Sequence, residues 1–182
     1  MAHSKEAGRC LFIGGSSKSA ELAASHGVSY VFASFINSTI EELRAAASVY
    51  QETFQARDHS QPQFLLAVGI IVADTDEEAK ALNKYPYSFK VHVEDGRTLN
   101  VNSYERAAAF GESTGISYWI DKKESGVITG SIDTVKNKLE ELTEGLDVDE
   151  LIVHVPLTNV DEKLHTFQQL RQLSFFQTES IV

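Results

Sequence analysis

Four short apolar runs, residues 10–14, 30–34, 64–73 and 151–155, alternate along the chain with segments whose apolar positions recur every three or four residues. The third run is apolar at nearly every position, which marks a strand buried on both faces, as in a parallel sheet covered by helices. The helical segments carry start and stop signals. Ser38-Thr39-Ile40-Glu41 and Thr75-Asp76-Glu77-Glu78 both fit a capping box, in which a hydroxyl and a carboxylate satisfy free backbone donors reciprocally. Ile40, Leu43, Ala47, Tyr50 and Phe54 then draw one apolar stripe; Ile132, Val135, Leu139 and Leu142 repeat it before Gly145, and Leu164, Phe167, Leu170 and Leu173 come close to it. Such stripes predict core-facing helices.

The predicted order is strand, helix, strand, helix, strand, helix, an excursion, helix, strand, helix. Right-handed crossovers make neighbouring strands of such a chain parallel. Four βα units amount to half a barrel, and at 182 residues the chain is shorter than the roughly 250 of a complete (β/α)₈ barrel. Residues 10–182 read as one α/β domain behind a flexible start, residues 1–9. The excursion, residues 84–129, is long for a βα connection, and segments of that size are commonly lids, binding segments or disordered stretches. Within it residues 89–94 and 97–101 alternate about an Asp95-Gly96 turn signal, and a helix is predicted near 103–110. On an open half barrel, Val31, Leu66, Val68 and Val153 would form an inner apolar face that a partner has to cover.

Charge narrows the partners. Sixteen Lys and Arg against 26 Asp and Glu leave a net charge of −10, which opposes nonspecific attraction to nucleic acid or anionic lipid. No apolar run approaches the ~18 residues of a membrane span, and residues 1–9 lack a signal-peptide core, so the expected compartment is the cytoplasm. A lone cysteine, Cys10, agrees with a reducing compartment and reads as a buried apolar thiol.

One constellation carries chemistry. The first strand runs into Gly14-Gly15-Ser16-Ser17-Lys18-Ser19, and a helix follows to a stop at Gly27. Glycines let a ligand approach the backbone, serine hydroxyls can donate, and the unpaired N–H groups of the helix start point at the same spot. Those are the requirements of a phosphate cradle, although neither GxxxxGK[ST] nor GxGxxG is present and a Gly-Ser turn with a serine cap also serves purely structural ends. His3, His26, His59, His92, His154 and His165 are scattered without paired ligand spacing, so no metal site is expected. His154, alternating with Val153 and Val155, reads as a hydrogen-bonded interior imidazole more readily than as a catalytic base, and a barrel interior leaves both open. Asp58-His59-Ser60 reads as a turn rather than a triad, Asp74, Asp76, Glu77 and Glu78 as helix-start carboxylates, and Tyr118 and Trp119 as a lid anchor or partner-facing pair.

Residues 12–24, followed by Gly27 and residues 30–35, resemble the middle of bacterial luciferase-like, flavin-dependent monooxygenases. The similarity resumes at 62–79, 130–135 and 149–153, so it covers most of the chain outside the excursion. The resemblance implies a TIM-barrel-like α/β fold of which this chain matches the C-terminal half, and an enzyme that uses reduced FMN, less readily coenzyme F420, to oxidise a small organic substrate with dioxygen. It places Gly14, Gly15, Ser16, Ser17 and Ser19 at the flavin phosphate, Gly15 standing where the luciferase alpha chain has an acidic residue. Ala33 and Ser34 fall beside the isoalloxazine ring. The family's N-terminal half, with its catalytic histidine, has no counterpart here, so no catalytic residue is assigned. The implied partners are a flavin reductase and either a second copy of the chain or a separate N-terminal half. The alternative is a non-catalytic flavin-binding or structural, oligomerising relative.

Overall fold

The computed structural model describes residues 10–57 and 61–176. The predicted flexible start, His3 and the Asp58-His59-Ser60 turn lie outside the described residues. Contacts gather the chain into two compact units. One runs to Ala67 and includes Thr143–Ile152; the other comprises Val68–Leu142 and the chain from Val153 onward.

The first unit holds β1 (Leu11–Gly14), α1 (Ser17–Ser25), β2 (Ser29–Ala33), α2 (Ile40–Thr53) and the opening residues of β3 (Phe64–Val72). These strands are parallel, with Ile13 beside Val31 and Val31 beside Leu65. All nine residues of β3 are buried, as the continuous apolar run required. Leu43, Ala47 and Tyr50 of the predicted stripe are buried on α2. Gly27 ends α1 with a φ of 64°, a backbone conformation in which a β-carbon is strained.

Two expectations in this unit are corrected. The Ser38-Glu41 capping box does not form: α2 begins one residue later, behind Thr39, whose side chain caps nothing and whose N–H is held by Asn37 Oδ1 at 3.2 Å. Cys10 is exposed rather than buried, because it precedes the first paired residue of β1.

The second unit holds the rest of β3, α3 (Asp76–Leu82), β4 (Tyr87–Val93), β5 (Thr98–Val101), α4 (Tyr104–Ser113), β6 (Tyr118–Glu124), β7 (Val127–Gly130) and most of α5 (Ile132–Thr143). Further along the chain come β8 (Glu150–His154), whose first three residues belong to the first unit and which also pairs with β3, then α6 (Val160–Leu170) and a short turn, Ser174–Phe176. The Thr75 capping box is present, with Thr75 Oγ1 accepting from Glu78 N–H and Thr75 N–H donating to Glu78, each at 3.2 Å. The excursion is an ordered antiparallel sheet, β5-β4-β6, with α4 on the face formed by Phe89, Val91 and Val93. The Asp95-Gly96 turn falls where the alternation placed it, and α4 overlaps the helix predicted near 103–110. Strands β6 and β7 were not anticipated, and β7 pairs in parallel with β3. On the other face of the small sheet Trp119 is more than half exposed and stacks on His92, with ring centroids 4.9 Å apart.

The inner-face expectation also changes. In the parallel register Val31 shares a face with Leu65, not Leu66, so Val31 and Leu66 point to opposite sides. Val31, Leu65 and Ala67 are covered by Ile152, and Ile71 by Val155 and Leu157, all within this chain. Strand β1 lies at an edge of the sheet, and its Ile13 is 62% exposed. His154 is exposed, not interior. The buried face of α6 is Thr166 and Leu170, so Leu164 and Phe167 of the last predicted stripe lie exposed.

A second capping carboxylate binds α3 to α5. Asp76 accepts the Ser131 N–H at 2.6 Å and the Thr134 hydroxyl at 3.0 Å, and Gly130 leaves the room, since a β-carbon there would sit 2.9 Å from Asp76 Oδ1. The Ser131 N–H, then the Thr134 hydroxyl, hold the Asp76 carboxyl below its ordinary range. A carboxylate depressed in the folded state contributes stability above its unfolded value of about 3.9, and loses it as pH falls through the lower folded value. Asp76→Asn should therefore be less stable than the parent at pH 7 in urea unfolding, with the difference shrinking below about pH 4; equal stability at pH 7 would mean the bond contributes nothing.

Candidate functional site

The Gly14-to-Ser19 turn lies between β1 and α1, at the carboxyl end of a parallel strand. Ser16 is the N-cap of α1 with extended backbone, its φ being −153°. Its Oγ accepts the Ser19 N–H at 3.2 Å, while the Ser16 N–H donates to Ser19 Oγ at 3.3 Å. This is a capping box with serine in the place usually taken by glutamate. The two hydroxyls lie 3.0 Å apart, and Ser19 Oγ also donates to the Ser16 carbonyl at 2.8 Å.

Tyr30 of β2 completes this network. Its ring is fully buried against Phe12, Tyr50 and Phe64, at centroid separations of 6.4, 6.0 and 5.8 Å. The phenol emerges from that cluster to meet Ser19 Oγ at 2.7 Å and to donate to the Ser16 carbonyl at 3.2 Å. Burial pushes the phenol above its ordinary range, against the opposing pull of Ser19 and Ser16, so it stays a neutral hydrogen-bonding group at physiological pH. Gly14 is glycine for space rather than for its φ. A β-carbon there would lie 2.8 Å from both Ser19 Cβ and the Tyr30 hydroxyl.

The remaining donors of the turn are treated differently. The Ser17 N–H, first in α1, donates to Glu42 Oε1 of α2 at 2.6 Å. Asn37 Nδ2 donates to the Gly15 carbonyl at 3.1 Å, tying the turn to the approach of α2. Lys18 is exposed. The start of α1 thus already holds an anion, the Glu42 carboxylate, where the macrodipole and free N–H groups favour negative charge.

Of the residues singled out from sequence, Gly14, Gly15, Ser16, Ser17 and Ser19 share this one turn. Ala33 and Ser34 follow Phe32, which is the β2 neighbour of Gly14. Both are buried, and the Ser34 hydroxyl donates to the Ala67 carbonyl at 3.1 Å. Tyr30, Asn37 and Glu42 were missed. A tyrosine inside a fully apolar strand was the available signal for the first, because a buried phenol needs a partner; the long-range bond of Glu42 leaves no local trace. Among the described residues no group of three or more His, Cys, Asp or Glu converges as a metal site, and no helix is long and apolar enough to cross a membrane.

No family model matches the chain. It is 34% identical, over 158 residues, to the N-acetyl-S-alkylcysteine monooxygenase of Bacillus subtilis (strain 168), a match that covers 87% of this chain and 47% of that protein. Among solved structures it is similar to apo-MsnO8, with a TM-score of 0.64 and 23% identity over 93% of this chain and 52% of that one. It is also similar to the oxygenating constituent of 3,6-diketocamphane monooxygenase from Pseudomonas putida, a type II Baeyer-Villiger monooxygenase solved with FMN. There the TM-score is 0.53 and the identity 17%, over 88% of this chain and 45% of the other. The chain spans about half the length of the curated relatives it matches.

The space at Gly14 yields a direct test of the turn. Gly14→Ala should destabilise the protein by about 1–3 kcal/mol through overpacking. Gly15→Ala, whose β-carbon would meet Ile36 Cγ2 at 3.1 Å, should cost less. Thermal denaturation of both variants checks the order, and the reverse order would refute close packing as the reason for glycine at position 14.

Proposed function

We propose, from the premise that the chain is homologous to luciferase-like, flavin-dependent monooxygenases over about half their length, that it holds FMN and takes part in oxidising a small organic substrate with dioxygen. The observation that carries this reading is the start of α1, where a glycine-flanked serine cap and a helix N-terminus already seat an anionic group. A phosphate monoester fits the same chemistry, with Ser16 and Ser19 as hydroxyl donors and the Ser17 and Lys18 N–H groups as backbone donors. FMN ends in such a dianionic monoester. The phosphate of F420 is an internal diester of lower charge, which makes F420 the weaker fit.

Reduced flavin, when bound, supplies the reaction with dioxygen. The role of this chain's residues is to hold the phosphate at Gly14, Gly15, Ser16, Ser17 and Ser19, and to present the carboxyl end of β2 toward the ring. Since Ala33 and Ser34 are buried, their contribution is the shape and position of that strand end rather than a side-chain contact. No proton transfer is assigned to any residue. A flavin reductase and a small substrate complete the reading, with a cytoplasmic setting. The second reading, a flavin-binding or structural, oligomerising protein without oxygenase activity, is favoured by the exposed edge of β1. A second copy of the chain or a separate N-terminal half would cover that edge.

Replacing Ser16 and Ser19 together with Ala should weaken FMN far more than riboflavin, since each charge-assisted hydrogen bond is worth roughly 1.5–3 kcal/mol. Fluorescence titration of both flavins measures the difference, and equal losses would refute phosphate capture at this turn. Flavin-dependent oxygen consumption with a reductase present separates the two readings.

A further inference from the structure

The seat assigned to the phosphate is filled by the chain itself. Glu42 is the third residue of α2, and Thr39 is the N-cap of that helix. In a Thr-x-x-Glu start the glutamate ordinarily turns back onto the N-cap N–H, as Glu78 does onto Thr75 at 3.2 Å. Glu42 does not. Its carboxylate leaves α2 and takes the Ser17 N–H of α1 at 2.6 Å, while Asn37 Oδ1 occupies the Thr39 N–H at 3.2 Å. The unused capping box gives Glu42 a second, ordinary seat on its own helix. Asn37, which would be released by that return, is the residue whose Nδ2 holds the Gly15 carbonyl at 3.1 Å.

We propose that Glu42 is an intramolecular competitor for the flavin phosphate, seated on α1 in the free protein and displaced to the start of α2 when FMN enters. The inference rests on the reading of α1 as the phosphate seat. Two anions cannot share one helix N-terminus without strong mutual repulsion, so FMN binding and the Glu42–Ser17 bond exclude each other. No covalent bond changes in the exchange; a hydrogen bond to Ser17 passes from carboxylate to phosphate. A tenant of this kind lowers apparent flavin affinity by the fraction of molecules in which the seat is taken. It also selects for a strongly charged terminal group over a neutral one, and makes the flavin exchangeable rather than permanently held.

The test compares the full chain with Glu42→Gln, which keeps the shape and an acceptor oxygen but removes the charge. FMN and riboflavin affinities are read by flavin fluorescence, with the Ser16→Ala/Ser19→Ala variant as reference. Glu42→Gln should tighten FMN by about tenfold and leave riboflavin unchanged. An unchanged or weakened FMN affinity, with the serine variant still separating FMN from riboflavin, would overturn the competition while leaving phosphate capture standing. If none of the proteins separates FMN from riboflavin, phosphate capture and the competition fall together. A measurement on the unaltered chain does not depend on the variants folding. On FMN addition the Ser17 amide and the Glu42 carboxyl carbon should both shift in NMR spectra, and riboflavin should move neither; a Glu42 resonance unmoved by saturating FMN would overturn the exchange.

Discussion

The first turn of a helix exposes backbone N–H groups that no residue within the helix can satisfy. At α1 the turn and its free groups recruit partners from two other elements, and much of the first unit is organised around them. Tyr30 contributes its hydroxyl from β2, Glu42 its carboxylate from α2, and Ser16 and Ser19 close the turn on itself. The arrangement links site and core through one side chain. The ring of Tyr30 belongs to the aromatic cluster with Phe12, Tyr50 and Phe64, and its oxygen belongs to the cradle. Gly14 permits this meeting by having no side chain. The second unit solves the same problem at α5 with Asp76, so a carboxylate borrowed from a neighbouring helix is a repeated device in this chain.

The two borrowed carboxylates differ in what else they could do. Asp76 stands at the first position of α3 and accepts from a backbone and a hydroxyl group of one helix start, which makes it a structural clamp. Glu42 stands at the position from which a capping box could be made and makes none. That difference, rather than the presence of a carboxylate at a helix start, distinguishes a fixed cap from one that a stronger anion can replace.

Features governed by near neighbours are legible in the amino-acid sequence alone. The continuous apolar run of β3, the stripe of α2, the Thr75 capping box and the Asp95-Gly96 turn each depend on residues within a few positions of one another. The Gly14-to-Ser19 turn is legible for the same reason, because its two glycines and three serines lie in six consecutive positions. What the pattern misses is set at long range. Glu42 sits 25 residues from Ser17, and Asp76 sits 55 from Ser131. Strand β6 begins with Tyr118 and Trp119 but continues through charged residues, since its outer side meets solvent, and so carries no clear apolar alternation. Leu164 and Phe167 mislead in the opposite sense: their spacing is that of a core stripe, yet Thr166, hydrogen-bonded to the backbone of Val72, occupies the buried face.

Every role proposed for the cradle requires that a flavin phosphate and the start of α1 meet. Phosphorus NMR of FMN titrated with the full chain reads that contact from the ligand's side. The FMN resonance should shift and broaden on binding, and Ser16→Ala/Ser19→Ala should remove the shift. A bound flavin whose phosphorus resonance stays at its free position would contradict the meeting.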